Sequence, residues 1–252
     1  MGIEDLTQLE LFDGIMGLIY PAVGIIIGTI IGSKYAKLKR KELLYVGISL
    51  ICVAISYLAL GITFLTIVFF DFVLDDTIYI IIFIGFSAFG VLSFALAMTI
   101  LLYPYSRKKI VLIYAVICIS YEAYLLICLF TNPTLIATRI SRMDIDVTPI
   151  VSLFTLFAIL NALILIIPFI RRLLKSDNLR ILWKGRFLLI SVIVLVIATI
   201  LVVISGTNMI IIIISRLLLV IRMFLSYLGW LLPERVAKWL IKENDLKSNI
   251  TD

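Results

Sequence analysis

Seven apolar runs decide what this chain can become. They fall at roughly 11–32, 43–70, 77–104, 110–131, 148–170, 187–205 and 208–232. Each is long enough to cross a bilayer, for which about 20 residues are needed. The seventh, Asn208 to Leu232, is the most constrained, because Arg216 and Arg222 lie inside its apolar stretch. A charge at membrane depth costs about 2.5–3.5 kcal/mol on insertion scales, so such a residue faces protein or a wet cavity rather than lipid. The predicted fold is an all-α integral membrane protein. It has a seven-helix bundle over residues 1–232 and a tail over 233–252 that forms a short amphipathic helix.

Composition agrees with this reading. The 252 residues are 63% hydrophobic and only 15% charged, with a mean hydropathy of +1.21. A soluble domain is nearer half apolar and a quarter charged. The chain has no histidine, which removes His metal sites, His proton relays and His-dependent triads. Cys52, Cys118 and Cys128 all lie within apolar runs and are read as packing residues rather than a disulfide framework. The opening MGIEDLTQLELFD is acidic, so no cleavable signal peptide is expected. Gly2 resembles a myristoylation start, but Leu6 stands where Ser or Thr is wanted.

The loops alternate in charge and set the orientation. The first holds Lys34, Lys37, Lys39, Arg40 and Lys41, whereas the second holds only Asp71, Asp75 and Asp76. Arg107, Lys108 and Lys109 follow in the third. The fourth, TNPTLIATRISRMDIDV, balances two arginines against two aspartates. The fifth carries Arg171, Arg172, Lys175, Arg180, Lys184 and Arg186, and the tail adds Arg235, Lys238, Lys242 and Lys247. The basic loops therefore share one side. By the positive-inside rule the amino terminus is outside and the carboxyl terminus cytoplasmic, in a multi-pass protein of the cell membrane. Trp183, Trp230 and Trp239 fall at the inner headgroup level, as interfacial tryptophans do. The net charge of +6 is thus a topology signal, and no nucleic-acid partner is expected.

Within the spans, Gly24, Gly28 and Gly32 recur every fourth residue, following Gly14 and Gly17. Such a face lets another helix approach closely, either inside the chain or across a homodimer. Pro21 is expected to kink this first helix. The third span is also rich in small residues, among them Gly85, Ala88, Gly90, Ser93 and Ala97, which suits the centre of a bundle.

Candidate site residues come from the few polar groups at depth. Glu122 in the fourth span has Cys118 on its face and Tyr121 and Tyr124 beside it, and Asn161 lies in the fifth. At 1.5 Å per residue, Arg216 lies roughly 12 Å and Glu122 roughly 14 Å below the outer ends of their spans. Their matching depth and opposite sign make them a candidate ion pair. Arg222 and Asn161 are deeper, at roughly 20 Å. Arg222 shares its helix face with Ser215, Ser226 and Gly229. After Pro233, Val236, Ala237, Leu240 and Ile241 fall on one side of the tail helix, with Glu234, Arg235, Lys238 and Lys242 on the other. That helix should lie along the inner interface. The Asn249-Ile250-Thr251 sequon is cytoplasmic on this topology and idle.

No nucleotide loop, metal-ligand cluster, nucleophile elbow or HExxH pattern is present, so neither enzymatic activity nor a cofactor is expected. A retinal protein would need a lysine in the seventh span, which has none. A carrier built from two similar halves should show a repeat, yet the glycine-rich first span has no counterpart in the glycine-free fifth. The overall plan, and in detail the ending Tyr227-Leu-Gly-Trp-Leu-Leu-Pro233 with its basic helix, resembles the seven-helix sensor regions at the amino terminus of some histidine kinases and their uncharacterised stand-alone archaeal relatives. The resemblance implies a receptor-like or sensory protein that signals through a separate cytoplasmic partner, since no kinase domain is present. The basic residues of loop five would be its docking surface, though attraction to anionic lipid is the plainer account of them. The alternative is a small-solute transporter or channel component in which Glu122, Arg216 and Arg222 line the path.

Overall fold

The computed structural model describes residues 6–204 and 208–241, apart from the side chain of Val203. Seven helical segments among them are long and apolar enough to cross a membrane, consistent with an all-helical, multi-pass membrane protein. The chain forms two compact units, Met1–Ala162 and Leu163–Asp252, divided inside the fifth span. One membrane domain over 1–232 was expected. No shift in composition marks the division, because the fifth span is apolar on both sides of it.

In the first unit, α1 runs from Gln8 to Leu38 and α2 from Lys41 to Phe70. Thr7 starts α1 through a capping box. The Glu10 N–H donates to Thr7 Oγ1 at 3.2 Å, and the Thr7 N–H donates to Glu10 Oε2 at 2.9 Å. Pro21 lies buried inside α1 without ending it. The glycine face of α1 is taken up by α2. A Cβ added to Gly28 would meet the Gly47 carbonyl oxygen at 2.8 Å, and one added to Gly47 would meet the Gly28 carbonyl oxygen at 2.5 Å. Gly17 and Gly61 meet backbone to backbone in the same way. At these two crossings glycine faces glycine, so the main chains pack directly. Gly24 and Gly32 are buried on the same helix.

The third span differs from the continuous run expected over 77–104. It is two helices, α3 (Asp76–Ile84) and α4 (Ser87–Leu102), broken at Gly85–Phe86. The sequence permits the break because residue 85 has no Cβ: one placed there would lie 2.6 Å from the Ile81 carbonyl oxygen. Phe86 then enters α4 without a side-chain cap. Asp75 starts α3 by accepting the Thr77 N–H at 2.9 Å and the Ile78 N–H at 3.4 Å. These bonds, the Thr77 amide foremost, hold its carboxyl below the usual carboxylate range.

Helix α5 (Arg107–Thr131) follows, and the next connection is ordered. A 3-10 turn at Pro133–Leu135 leads into an antiparallel hairpin of β1 (Ala137–Arg139) and β2 (Ile145–Val147), with Thr138 opposite Asp146. Sequence reading saw only balanced charge in this loop. Here the Arg139 guanidinium donates through Nε to Asp76 Oδ1 at 2.5 Å and to the carbonyls of Arg142 and Leu74, and lies over the Tyr79 ring. The Tyr79 hydroxyl donates to the Met143 carbonyl at 3.0 Å. The hairpin is thereby pinned to the start of α3.

The fifth span is α6 (Pro149–Leu174), whose first half closes the first unit. In the second unit, α7 (Leu179–Ile204) packs along α8 (Met209–Leu231), and α9 (Glu234–Leu240) follows Pro233. Helices α6 and α7 extend further than the expected 148–170 and 187–205. Arg171, Arg172, Arg180, Lys184 and Arg186 are therefore helical, because Arg, Lys and Leu favour the helix beyond the apolar core. Ala237 and Ile241 are buried, while Arg235 and Lys238 are exposed. The expectations for Gly2, Lys242, Lys247, the tight 205–207 turn and the Asn249 sequon lie outside the described residues.

Candidate functional site

Helix α5 carries the polar residues of the first unit. Cys118, Tyr121, Leu125, Cys128 and Leu129 are buried along one side. They share a core with Ile80 and Ile84 of α3, Ala88 and Val91 of α4 and Phe154 of α6. The Tyr121 ring stacks on Phe154 with centroids 3.6 Å apart and planes 5° from parallel. That fixes the ring and carries its hydroxyl toward the helix break, where the Ser87 hydroxyl faces it without reaching hydrogen-bond geometry. Cys118 lies against the Leu92 backbone of α4, and the Glu122 carboxyl is close enough to Cys118 and Tyr121 to act on both electrostatically.

Three polar atoms here are shielded from solvent and meet no hydrogen-bond partner among the described residues: Ser87 Oγ, Tyr121 Oη and Glu122 Oε2. Each such group ordinarily costs about 1–3 kcal/mol when buried unsatisfied. Ser87 Oγ and Tyr121 Oη face each other where α4 begins without a side-chain cap, and Glu122 follows Tyr121 along α5. Tyr121 as a whole is only 7% exposed. The cleft lined by Ile67, Asp71, Phe72, Val73 and Arg142 shares no residue with this cluster.

Of the residues singled out from sequence, Glu122 and Asn161 belong to the first unit, and Arg216 and Arg222 to the second. Asn161, buried at 4% exposure, is engaged by its own neighbour: the Tyr114 hydroxyl donates to its Oδ1. Arg216 and Arg222 are both half-buried on α8. The small polar stripe beside Arg222 is filled by α7. Ser191 Oγ lies 2.8 Å from Ser226 Oγ and donates to the Arg222 carbonyl at 3.2 Å, and Gly229 receives Leu188. Ser215 turns its hydroxyl onto the Ile212 carbonyl of its own helix at 2.8 Å.

The six basic residues of loop five divide. Arg180 donates to the Leu232 carbonyl at 3.3 Å, where α8 ends in a left-handed turn. Arg186 lies exposed over the Trp183 ring, and Lys184 is half-buried. Arg171, Arg172 and Lys175 are exposed. Among the described residues no group of three or more His, Cys, Asp or Glu side chains lies together as a metal site would require.

Sequence reasoning reached Glu122 and its neighbour Tyr121 but missed Ser87 and the break. The signal for the break was Gly85 followed by the bulky Phe86 inside a run of small residues, which reads equally well as a packing face. Compared with known proteins, the chain matches no family model, no curated protein and no solved structure.

Proposed function

We propose that this protein resides in the cell membrane with its amino terminus outside and its carboxyl terminus in the cytoplasm, and that it is a small-solute transporter or channel component with Glu122 as the ionisable group of its path. The observation that supports this is the interruption at Gly85–Phe86 beside the sealed hydroxyls of Ser87 and Tyr121, with the acid Glu122 next to Tyr121 on α5. Non-helical backbone at membrane depth is tolerated only inside protein or along a cavity, and interrupted helices are where carriers bind their cargo. An acid at such depth is by default a functional group.

The receptor-like reading, with output through a cytoplasmic protein, draws on a different observation: Arg171, Arg172, Lys175 and Arg186 stay exposed on neighbouring helix ends. A homodimer through Gly24, Gly28 and Gly32 would compete with α2, which already covers Gly28 and Gly32.

Cysteine accessibility tests the proposal, in a background with Cys52, Cys118 and Cys128 replaced by alanine. Thr138→Cys should label from outside with an impermeant reagent and Lys39→Cys only from inside. Ser87→Cys should react from one side at a rate between the two. An inert Ser87→Cys removes the path, and reversed labelling of the outer pair overturns the orientation.

A further inference from the structure

Helix α9 uses its two faces in the opposite way to an ordinary interfacial helix. Such a helix sinks its apolar residues into the lipid boundary. Here Ala237 and Ile241 are 1% and 3% exposed, so the apolar side is already taken up inside the protein. The turn that allows this is at Leu232. Its backbone is left-handed where α8 ends, and its carbonyl accepts from Arg180 at the start of α7. Nearby, Trp230 stacks on Phe169 of α6 with centroids 5.5 Å apart. A Cβ on Gly185 of α7 would lie 2.9 Å from Leu173 Cβ, at the end of α6. The inner ends of α6, α7 and α8 are thereby tied together, and α9 starts two residues beyond the tie.

The outward face of α9 carries the chemistry. Arg235 and Trp239 are four residues apart and share one side of the helix, with Lys238 beside them. All three are exposed, the tryptophan to 85%. Arg235 and Lys238 form no ion pair among the described residues. A tryptophan this open suits the headgroup layer, where its ring lies among apolar carbons and its N–H meets polar atoms. Cations at that level meet lipid phosphate. Helix α7 repeats the pairing, with the Arg186 guanidinium 4.7 Å over the Trp183 ring.

We propose that Arg235, Lys238 and Trp239 form a docking surface for anionic phospholipid. The two cations bind headgroup phosphate, and the indole enters the glycerol layer beside it. Charge complementarity selects this occupant. Asp177 and Glu234 are the only acids among the described residues of the second unit, while Arg171, Lys175 and Arg186 stand exposed around its inner end. An acidic protein segment would answer the charge but not the bare indole. The inference concerns the second unit alone and holds whether or not a path runs by Glu122.

The test is fluorescence quenching of the full chain in phosphatidylcholine nanodiscs. They contain a minor fraction of lipid brominated near the headgroup end of its acyl chains, either phosphatidylglycerol or phosphatidylcholine. Subtracting the signal of Trp239→Phe isolates this indole from Trp183 and Trp230. Brominated phosphatidylglycerol should quench Trp239 at least about fivefold more efficiently, the gain that one basic residue confers near an anionic surface. Arg235→Gln combined with Lys238→Gln should bring the two lipids to parity, as should high salt, whereas Arg235→Lys should keep the preference. All the substituted side chains are exposed, so the core is untouched. Equal quenching by both lipids in the unaltered chain overturns the proposal. Quenching by neither also overturns it and leaves the face to an acidic protein. A preference that survives the double substitution belongs to the other cations of this end, and α9 then loses the site.

Discussion

Helices α1 and α2 and the α3–α4–α5 region solve the same problem in opposite ways. In the first pair glycine meets glycine, and the two backbones touch directly at Gly28–Gly47 and Gly17–Gly61. In the second the chain gives up helix continuity at Gly85–Phe86 and leaves three side-chain oxygens sealed without partners. Lipid cannot satisfy a stranded polar group, so the second arrangement carries a standing cost. The difference teaches where to look for change: the seam fixes a distance, and the break holds groups that have somewhere else to go.

The largest effect should come from the seam. Gly28→Leu has no space to enter, because a Cβ there already lies 2.6 Å from Ile51 Cγ1 and 2.8 Å from the Gly47 carbonyl oxygen, the latter main chain of α2 that cannot turn aside. About 3 kcal/mol is expected, enough to collapse the monodisperse yield in mild detergent. Gly47→Ala should follow the same direction with a smaller loss. An unchanged yield in both would mean that the seam is not a fixed contact.

Next comes the break, where the sign should reverse. Glu122 is half-buried with one carboxyl oxygen sealed and unpartnered, so replacing it by an apolar side chain removes a penalty of about 1 kcal/mol, and Glu122→Leu should raise the thermal unfolding temperature. A fall instead would show that Glu122 is satisfied and the contrast false. Smaller still is the hairpin clamp. Arg139→Gln should cost about 1 kcal/mol, since Asp76 is well exposed, and amide exchange should quicken in α3 while α1 and α2 stay unchanged.

The smallest effect is a pH dependence at the start of α3. Asp75 has a folded-state pKa below its ordinary value because of the Thr77 and Ile78 amides. Its contribution is therefore present above the unfolded pKa and is lost as pH falls through the ordinary carboxylate range toward the depressed folded value. Amide exchange at Thr77 and Ile78 should accelerate over that acid range. Asp75→Asn keeps the cap and should abolish the pH dependence. A mutant with the same acid sensitivity would assign it elsewhere.

What the sequence revealed divides along the same line. The spans were legible because apolar length is a one-dimensional property, and the seam was half legible because Gly24, Gly28 and Gly32 repeat at the helical period. Its other half, Gly47 and Gly61, is spaced too widely to announce a face. Glu122 stood out as the acid in an apolar run, but Ser87 did not, because its importance lies in facing Tyr121 from another helix. Gly85 was visible and ambiguous: the same residue type that allows close packing allows a helix to stop. The hairpin escaped notice because Ile145 and Val147 are too short a run to signal a strand, and Arg139 was counted as a charge before it could be seen as a clamp. The division within α6 left no mark at all, since both halves are equally apolar.

The clamp also imposes an order of events on a chain that is made from one end. Helices α1 and α2 are joined by two residues, Lys39 and Arg40, and can settle against each other as soon as both have entered the membrane. The start of α3 finds apolar neighbours at once in Ala59 and Ile62 of α2, but no polar ones. Its anchors, Arg139 on Asp76 and Met143 under Tyr79, lie more than sixty residues downstream. Until the fourth crossing is complete and the hairpin has formed, the third crossing rests on α2 by apolar packing alone and its Asp75 end lacks its polar fastening. A ribosome stalled before Arg139 should therefore hold a finished first hairpin beside a third helix that remains open to proteolysis at its Asp75 end.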